Sequence, residues 1–251
     1  MAKLILLGTA NAVPNERQEN THMALVGETR TVLIDASTNP IVRLRQGNIA
    51  PLSLTDLILT HFHPDHVSGV PLLLLDSWLL GRKEPLNIYG LSFTIDRVEK
   101  MMDLYGWQHW PGFFQINFIR LPEKEMAPVL QSDEFVIYAS PVHHMIPNIG
   151  LRIEFKRCDQ VVAYSCDTEP AEEVVRLAAG ADLLLHEATG AEQGHSSAAQ
   201  AGSIARQAEA GRLVLIHFDS GDNAQTLLDG AQSTFPGPVE LAYDLMEFEF
   251  E

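Results

Sequence analysis

The sequence predicts an α/β protein with a mixed sheet arrangement and helices packed outside it. Three observations predict it. Short apolar runs, partly β-branched or aromatic and closed by Gly, Asp or Pro, recur along the chain; stretches with apolar spacing near 3.6 lie between them; and hairpin-like strands come first, with strand–helix alternation later. The chain has 251 residues, 46% of them hydrophobic, which is enough for one sizeable core. No Pro/Gly/Ser-rich linker, low-complexity tract or charge block divides it, so a single domain over 1–251 is expected.

The elements follow in order. KLILLG (3–8) is a strand. The opening MAKLILLGTA has one Lys and a short apolar run with no cleavage-site pattern, so it reads as a strand and not a signal peptide. TVLIDA (31–36) is the next strand, and PIVRLRQG (40–47) is a helix ending at a Gly. LILT (57–60) is a strand that leads into the polar segment THFHPDH (60–66). Pro71 to Leu80 is helical. PLLLLDSWLL (71–80), the longest apolar run, is too short for a bilayer and contains Asp76. LNIYG (86–90) is a strand and TIDRVEKMMDLYG (94–106) a helix. EFVIYAS (134–140), LRIEF (151–155) and VVAYS (161–165) are strands, and EPAEEVVRLAAG (169–180) is a helix. LLLH (183–186), the helix SSAAQAGSIARQAEAG (196–211) and the strand LVLIHF (213–218) complete the pattern.

Charge narrows the partners. Seventeen Lys and Arg stand against 33 Asp and Glu, a formal net charge of −16. Gripping a long nucleic acid requires many basic contacts to phosphate, and no basic cluster is visible, so a large polyanionic substrate is disfavoured. Two cysteines, Cys158 and Cys166, make no disulfide framework. A cytoplasmic protein with no membrane partner is expected.

The chemistry concentrates in THFHPDH, where three histidines and an aspartate fall within seven residues. Imidazole and carboxylate are the usual ligands of zinc, with manganese or iron as substitutes. His61 and His63 are two apart and point the same way in an extended segment, while Asp65 and His66 follow at the mouth of the next helix. One pair can serve one ion and the other pair a second. The remaining ligand candidates are His143, His144, Asp167, His186, His195 and His217, most of them at or just after a strand end, where layered α/β folds gather their sites. Only one of His143 and His144 can readily face such a site. Asp167 can bridge two ions.

THFHPDH, a later His, SCDT and a late strand-end His resemble the metallo-β-lactamase superfamily pattern. The resemblance implies an αββα four-layer sandwich with a dinuclear site at one edge. His61, His63 and His144 would hold one ion, Asp65, His66 and His217 the other, and Asp167 would bridge. Within the superfamily the sequence resembles ribonuclease Z, the tRNA 3′-processing endonuclease, in LGTANAVPNERQENTHMAL, GRKEPLNIYG and HHMIPNIGLRIE, and most specifically in HEAT (186–189) and HSS (195–197). The HHMIPNIGLRIE match favours His144. The HSS match gives His195 the role of proton donor to the departing alkoxide, for which imidazole is suited near neutral pH. Asp65 could ligate and also orient the attacking water. His186 and Glu187 would support the ligand histidines, and Thr189 reads as structural.

The departures matter as well. Ribonuclease Z carries a long arm between its third ligand and the bridging Asp, but here His144 and Asp167 are 23 positions apart and two strands fill the interval. Where that family has a Pro-x-Lys-x-Arg-Asn pattern, this chain reads Pro14-Asn15-Glu16-Arg17-Gln18-Glu19-Asn20. SGDT has become SCDT, so Cys166 is either a packed thiol or a redox-sensitive neighbour of Asp167. These changes point to a phosphodiesterase acting on a small phosphodiester such as a cyclic nucleotide, nucleotide diester or cyclic phosphate. Cleavage of tRNA stands as the alternative, and a lactonase, thioesterase or metal/redox-sensing module stands further off. The aromatics of WQHWPGFF (107–114) form either a lid over the site or packing at a helix end or subunit interface, and a homodimer is expected.

Overall fold

Two seven-stranded sheets absorb the strand pattern in the computed structural model, which describes residues 2–219, 221 and 223–251; positions 1, 220 and 222 of the expected domain lie outside the described residues. The first sheet contains β1 (Ala2–Gly8), β2 (His22–Val26), β3 (Thr31–Ile34), β4 (Asp56–Ile58), β5 (Leu86–Leu91) and β6 (Ile116–Leu121). The second contains β7 (Ala127–Gln131), β8 (Phe135–Val142), β9 (Asn148–Phe155), β10 (Val161–Tyr164), β11 (Leu183–Glu187), β12 (Leu213–Ile216) and β13 (Val239–Leu241). The last strand, β14 (Met246–Phe250), returns to pair antiparallel with β1. Each sheet is antiparallel on one side and parallel on the other: β1–β2–β3 pass into parallel β3–β4–β5–β6, and β7–β8–β9–β10 pass into parallel β10–β11–β12–β13.

Among the described residues, seven α-helices cover the outer faces: α1 (Pro40–Gln46), α2 (Pro64–Val67), α3 (Val70–Leu79), α4 (Ser92–Asp103), α5 (Glu172–Leu177), α6 (Ala198–Gln207) and α7 (Ala224–Gln232). Strand alternation divides the apolar residues among three layers. Leu4 and Leu6 of β1 join Ile58, Ile137, Leu151, Leu185 and Val214 between the sheets. Ile5 and Leu7 turn the other way, onto Leu44, Leu73, Leu74, Ile95 and Val98 from the first set of helices. Leu184 and Leu215 likewise meet Val174, Ala201, Ile204 and Leu227 on the far side. Burial on both faces explains why these strands read as continuous apolar runs and do not alternate with polar residues. The layer order is αββα, as expected.

Some elements exceed or fall short of the sequence pattern. β2, β6, β7, β13, β14 and α7 are additional. β6 is an edge strand that is only half-buried over most of its length, and β7, the edge of the second sheet, contains Pro128, which an edge position tolerates. The helix expected from 169 begins only at Glu172, because the Glu169 N–H is engaged by the His143 carbonyl and Pro170 follows. The helix expected from 196 begins at Ala198, fixed by a capping box in which Ser197 accepts from the Gln200 N–H and Gln200 accepts from the Ser197 N–H. His195 and Ser196 therefore lie in the loop before it. Among the described residues, no helix is long and apolar enough to cross a membrane.

Candidate metal centre

The polar segments converge where β4, β8, β10 and β12 end. β4 delivers His61, fully buried, and His63, the residue preceding α2. Pro64 sets the first turn of α2. This single turn carries Asp65 and buried His66. His144 follows β8, Asp167 follows β10 and His217 follows β12. Cys166 (φ 52°) and His217 (φ 54°) lie in the left-handed region, as does Asp35 (φ 61°) after β3. Each such non-glycine turn costs about 1–2 kcal/mol, and the surrounding structure holds three of them at one edge.

The ligand atoms fall into two groups. His61, His63 and His144 place one nitrogen each within 4.8 Å of one another, and so do Asp65, His66, Asp167 and His217 with one nitrogen or oxygen each. Asp167 Oδ2 lies between them, 3.9 Å from His61 Nε2 on one side and 3.6 Å from His66 Nε2 and 3.4 Å from His217 Nε2 on the other. Asp65 Oδ2 is 3.4 Å from His66 Nε2 and 3.5 Å from His217 Nε2. All seven residues expected to ligate are thus brought together, with Asp167 in the middle. His143 points elsewhere, 3.5 Å from Glu173.

The tautomers follow from what the other ring nitrogen meets. His66 Nδ1 donates to Asp35 at 2.8 Å and His144 Nδ1 to the Gly194 carbonyl at 2.7 Å. His217 Nδ1 meets Thr189 Oγ1 at 2.9 Å, and that hydroxyl spends its own proton on the His217 carbonyl. His61 Nδ1 meets Thr60 Oγ1 at 3.1 Å, and Thr60 donates to Asp35. Four imidazoles therefore turn an Nε2 lone pair inward. His63 is the exception: its Nδ1 lies 3.0 Å from His61 Nε2 and 3.1 Å from His144 Nε2. Ligand histidines held by outer hydrogen bonds of this kind are characteristic of metal sites.

Electrostatics agree with a cation. Burial, then the neighbouring His66, pushes the His61 pKa well down, and burial also lowers His63 and His144. Burial alone would lower His66 and His217, but Asp167 with its fellow carboxylates outweighs it and both are raised. Burial opposes charge on Asp65 and Asp167, yet the facing imidazoles hold both well below the carboxylate range. Among the described residues no Lys or Arg pairs with either carboxylate, and the Nε2 atoms of His66 and His217 are buried without a hydrogen-bond partner. Buried carboxylates facing imidazole nitrogens that have no hydrogen-bond partner fit divalent cations, which would take the place of the protons these carboxylates favour.

His195 stands at the rim. Its Nδ1 is 3.0 Å from Glu187 Oε1, and its ring lies 5.0 Å from that of His144 and 6.1 Å from that of His217. Burial lowers its pKa, but Glu187 reverses the sign and the net is raised. Glu187 is fully buried and also accepts from the N–H groups of Thr168, Thr189 and Ser196. His186, expected to support the ligands beside it, instead bonds the Glu187 carbonyl oxygen, and its Nε2 has no partner. Adjacent strand residues face opposite ways, so only one of the two can face the site. The sequence reading missed Asp35, Thr60 and Gly194 as anchors and gave Thr189 only a structural part. Asp35 had a visible signal: it sits after a strand, as Asp167 does. The aromatics of 107–114 pack together and with Trp78, which stacks on Trp110 at 5.3 Å.

An αββα sandwich with this cluster at its strand ends defines a metal-dependent hydrolase. The chain belongs to the beta-lactamase superfamily, since the model described as "Beta-lactamase superfamily domain" matches residues 30–218. A protein of Methanothermobacter thermautotrophicus named "Ribonuclease Z" is 28% identical over 305 aligned positions, covering 99% of this chain and 97% of that one. Among solved structures, the metallo-beta-lactamase fold protein YhfI from Bacillus subtilis is 22% identical with a TM-score of 0.85, covering 99% of each chain. The short form of human tRNase Z (ELAC1) is 26% identical with a TM-score of 0.79, again over 99% of each chain. Membership implies divalent metal binding, for which the two His/Asp groups are the candidate ligands.

Proposed function

We propose that this protein hydrolyses phosphodiesters with two divalent ions, zinc first among the candidates, which His61, His63 and His144 would hold on one side and Asp65, His66 and His217 on the other, with Asp167 placed to serve both. The observation that carries the reading is the buried Glu187 carboxylate bonded to His195 at the rim of both ligand groups. A phosphodiester leaves behind an alkoxide that needs a proton, and an imidazole whose far nitrogen is fixed by a carboxylate is oriented to give one. When bound, the ions supply Lewis acidity toward a phosphoryl oxygen and lower the pKa of a water. Asp65 would orient that water by accepting a hydrogen bond from it; Glu187, bonded to His195, raises its pKa and so favours the protonated ring; His195 would hand its proton to the leaving oxygen.

For the substrate, the names of the curated relatives support the ribonuclease Z reaction on tRNA above the small phosphodiester that the sequence placed first. A specific observation keeps the small substrate as a second reading. β9 ends at Phe155 and β10 starts at Val161, so the interval between His144 and Asp167 holds a hairpin and no arm. The alignment to the Methanothermobacter relative, at 305 positions, is longer than this whole chain.

A metal-loaded sample tested on pre-tRNA, cyclic nucleotides, bis(p-nitrophenyl) phosphate, phosphomonoesters and lactones decides both questions. Diester cleavage is expected, and faster turnover of pre-tRNA than of any small diester selects the tRNA reading. Activity confined to monoesters or lactones rejects the proposal. His195→Ala is expected to retain both metals and lose on the order of 10²–10⁴ in rate on alkyl leaving groups.

A further inference from the structure

Between β11 and α6 the chain makes a loop that serves two residues of the proposed centre at once. Gly194 has φ +84°, a conformation L side chains rarely adopt, and a Cβ there would stand 2.9 Å from His144 Nδ1. Its carbonyl accepts from His144 Nδ1 at 2.7 Å, and the next residue is His195. What holds Gly194 is Glu169, whose Oε1 accepts from the Gly194 N–H at 2.8 Å. Glu169 is itself fixed from behind: its N–H donates to the His143 carbonyl at 2.8 Å, and its carbonyl accepts from Thr168 Oγ1, also at 2.8 Å. Thr168 Oγ1 in turn accepts from the His143 N–H at 3.2 Å. The carboxylate of Glu169 thus ties the segment carrying Asp167 to the loop carrying His195, and through Gly194 to the ring of His144.

We infer that Glu169 is a positioning residue that sets His144 and His195 together. This rests on the reading above, in which His144 ligates and His195 donates the proton. Glu169 touches neither ring. It fixes the backbone unit that one ring bonds and from which the other emerges. Loss of that tie lets Gly194 move, so the His144 ring loses its outer acceptor and His195 loses its registration over the leaving oxygen. Removing an outer partner of a ligand histidine typically costs 10–100-fold in metal affinity or activity.

The test compares Glu169→Ala, Glu169→Gln and Glu169→Asp in the full chain. Gln keeps an oxygen acceptor at the same reach, whereas Asp keeps the charge but draws the oxygen back by one methylene. For Ala and Asp the expectation is a fall of about 10-fold in kcat on a diester with an alkoxide leaving group, pre-tRNA or a cyclic nucleotide, whichever the wild type cuts faster, with KM within about twofold, and about 10-fold faster loss of one ion to a chelator. Gln should stay within about twofold on every count. Independently of turnover, the ring N–H resonance of His144 should broaden or vanish in Ala and Asp, while that of His66, bonded to Asp35, persists. Should Ala fail to fold, Asp carries the same comparison. Wild-type chelator resistance and an unchanged His144 resonance in Ala or Asp overturn the inference, as does a Gln variant as impaired as Ala. His144→Ala and His195→Ala run alongside. If His144→Ala keeps full metal content and His195→Ala keeps full activity, the underlying reading has failed; if His144→Ala loses metal and His195→Ala loses activity while Glu169→Ala loses neither, only the role of Glu169 has failed.

Discussion

The two groups of ligand atoms at the sheet edge are built differently. His61, His63 and His144 are three imidazoles whose pKa values are all lowered, and two of them are half-exposed. The outer nitrogen of His144 is anchored on a loop carbonyl. Asp65, His66, Asp167 and His217 form a dense charged group, with His66, Asp167 and His217 almost wholly buried. His66 is anchored on a fully buried carboxylate and His217 on a hydroxyl that is itself tied to backbone. The lesson is that one edge can combine a more accessible, neutral half with a buried, anionic half. The second is expected to retain its ion longer, because two carboxylates in low dielectric bind a dication more strongly than imidazoles alone.

The largest expected effect breaks the comparison altogether. Asp167 faces both halves, so Asp167→Ala should strip metal from both and lower diesterase activity by on the order of 10³, several kcal/mol of lost charge stabilisation. Elemental analysis of the purified variant checks it, and two ions retained per chain would show that the halves stand independently. A smaller effect separates them. Asp35→Asn weakens the acceptor of His66 directly and that of His61 only through Thr60. Metal affinity should fall about 10–100-fold, chiefly on the His66 side, as read by competition with a chromophoric chelator.

The smallest effect concerns the floor under the charged half. Burial, partly offset by the Asn20 carbonyl, pushes the pKa of His22 down to about 4 from 6.5. Its Nδ1 donates at 2.8 Å to that carbonyl and also faces Ser37 Oγ at 2.9 Å, and its Nε2 is buried without a partner. Between these pH values the unfolded chain takes up a proton that the folded chain refuses. Stability contributed by neutral His22 is therefore complete above about pH 6.5 and declines as pH falls toward 4, at roughly 1.4 kcal/mol per pH unit. Urea titrations at several pH values should show His22→Asn taking up about one proton fewer on unfolding across that window. An unchanged slope would mean that His22 is protonated in the folded state.

The candidate ligands were legible in the sequence because they cluster in THFHPDH or follow an apolar strand, and strand ends are set by local pattern. Their anchors were not. Asp35 meets His66 across 31 positions, Gly194 meets His144 across 50, and Glu169 meets Gly194 across 25; no local periodicity encodes such pairings. His186 and Glu187 show the opposite failure. They were treated alike as a motif, although strand parity alone assigns them to opposite faces. In the fold, the buried central strands stood out, while β6 and β7 did not, because edge strands bury less and β7 carries a proline. α7, which was not expected, caps its first turn with Asn223 and buries only Leu227 and Ala231, a thin apolar stripe.

Cys166 gives the centre a built-in clock. Its thiol is fully buried, 3.8 Å from His61 Nδ1 and 4.0 Å from Asp167 Oδ1, and burial raises its pKa far from the reactive range. Only the thiolate is alkylated at a useful rate, so modification must wait until the floor of the centre opens to water. The half-buried Cys158 lies away from this edge, against the core between the sheets. The ratio of the two labelling rates therefore counts openings of the candidate centre, and added divalent metal is expected to slow that count.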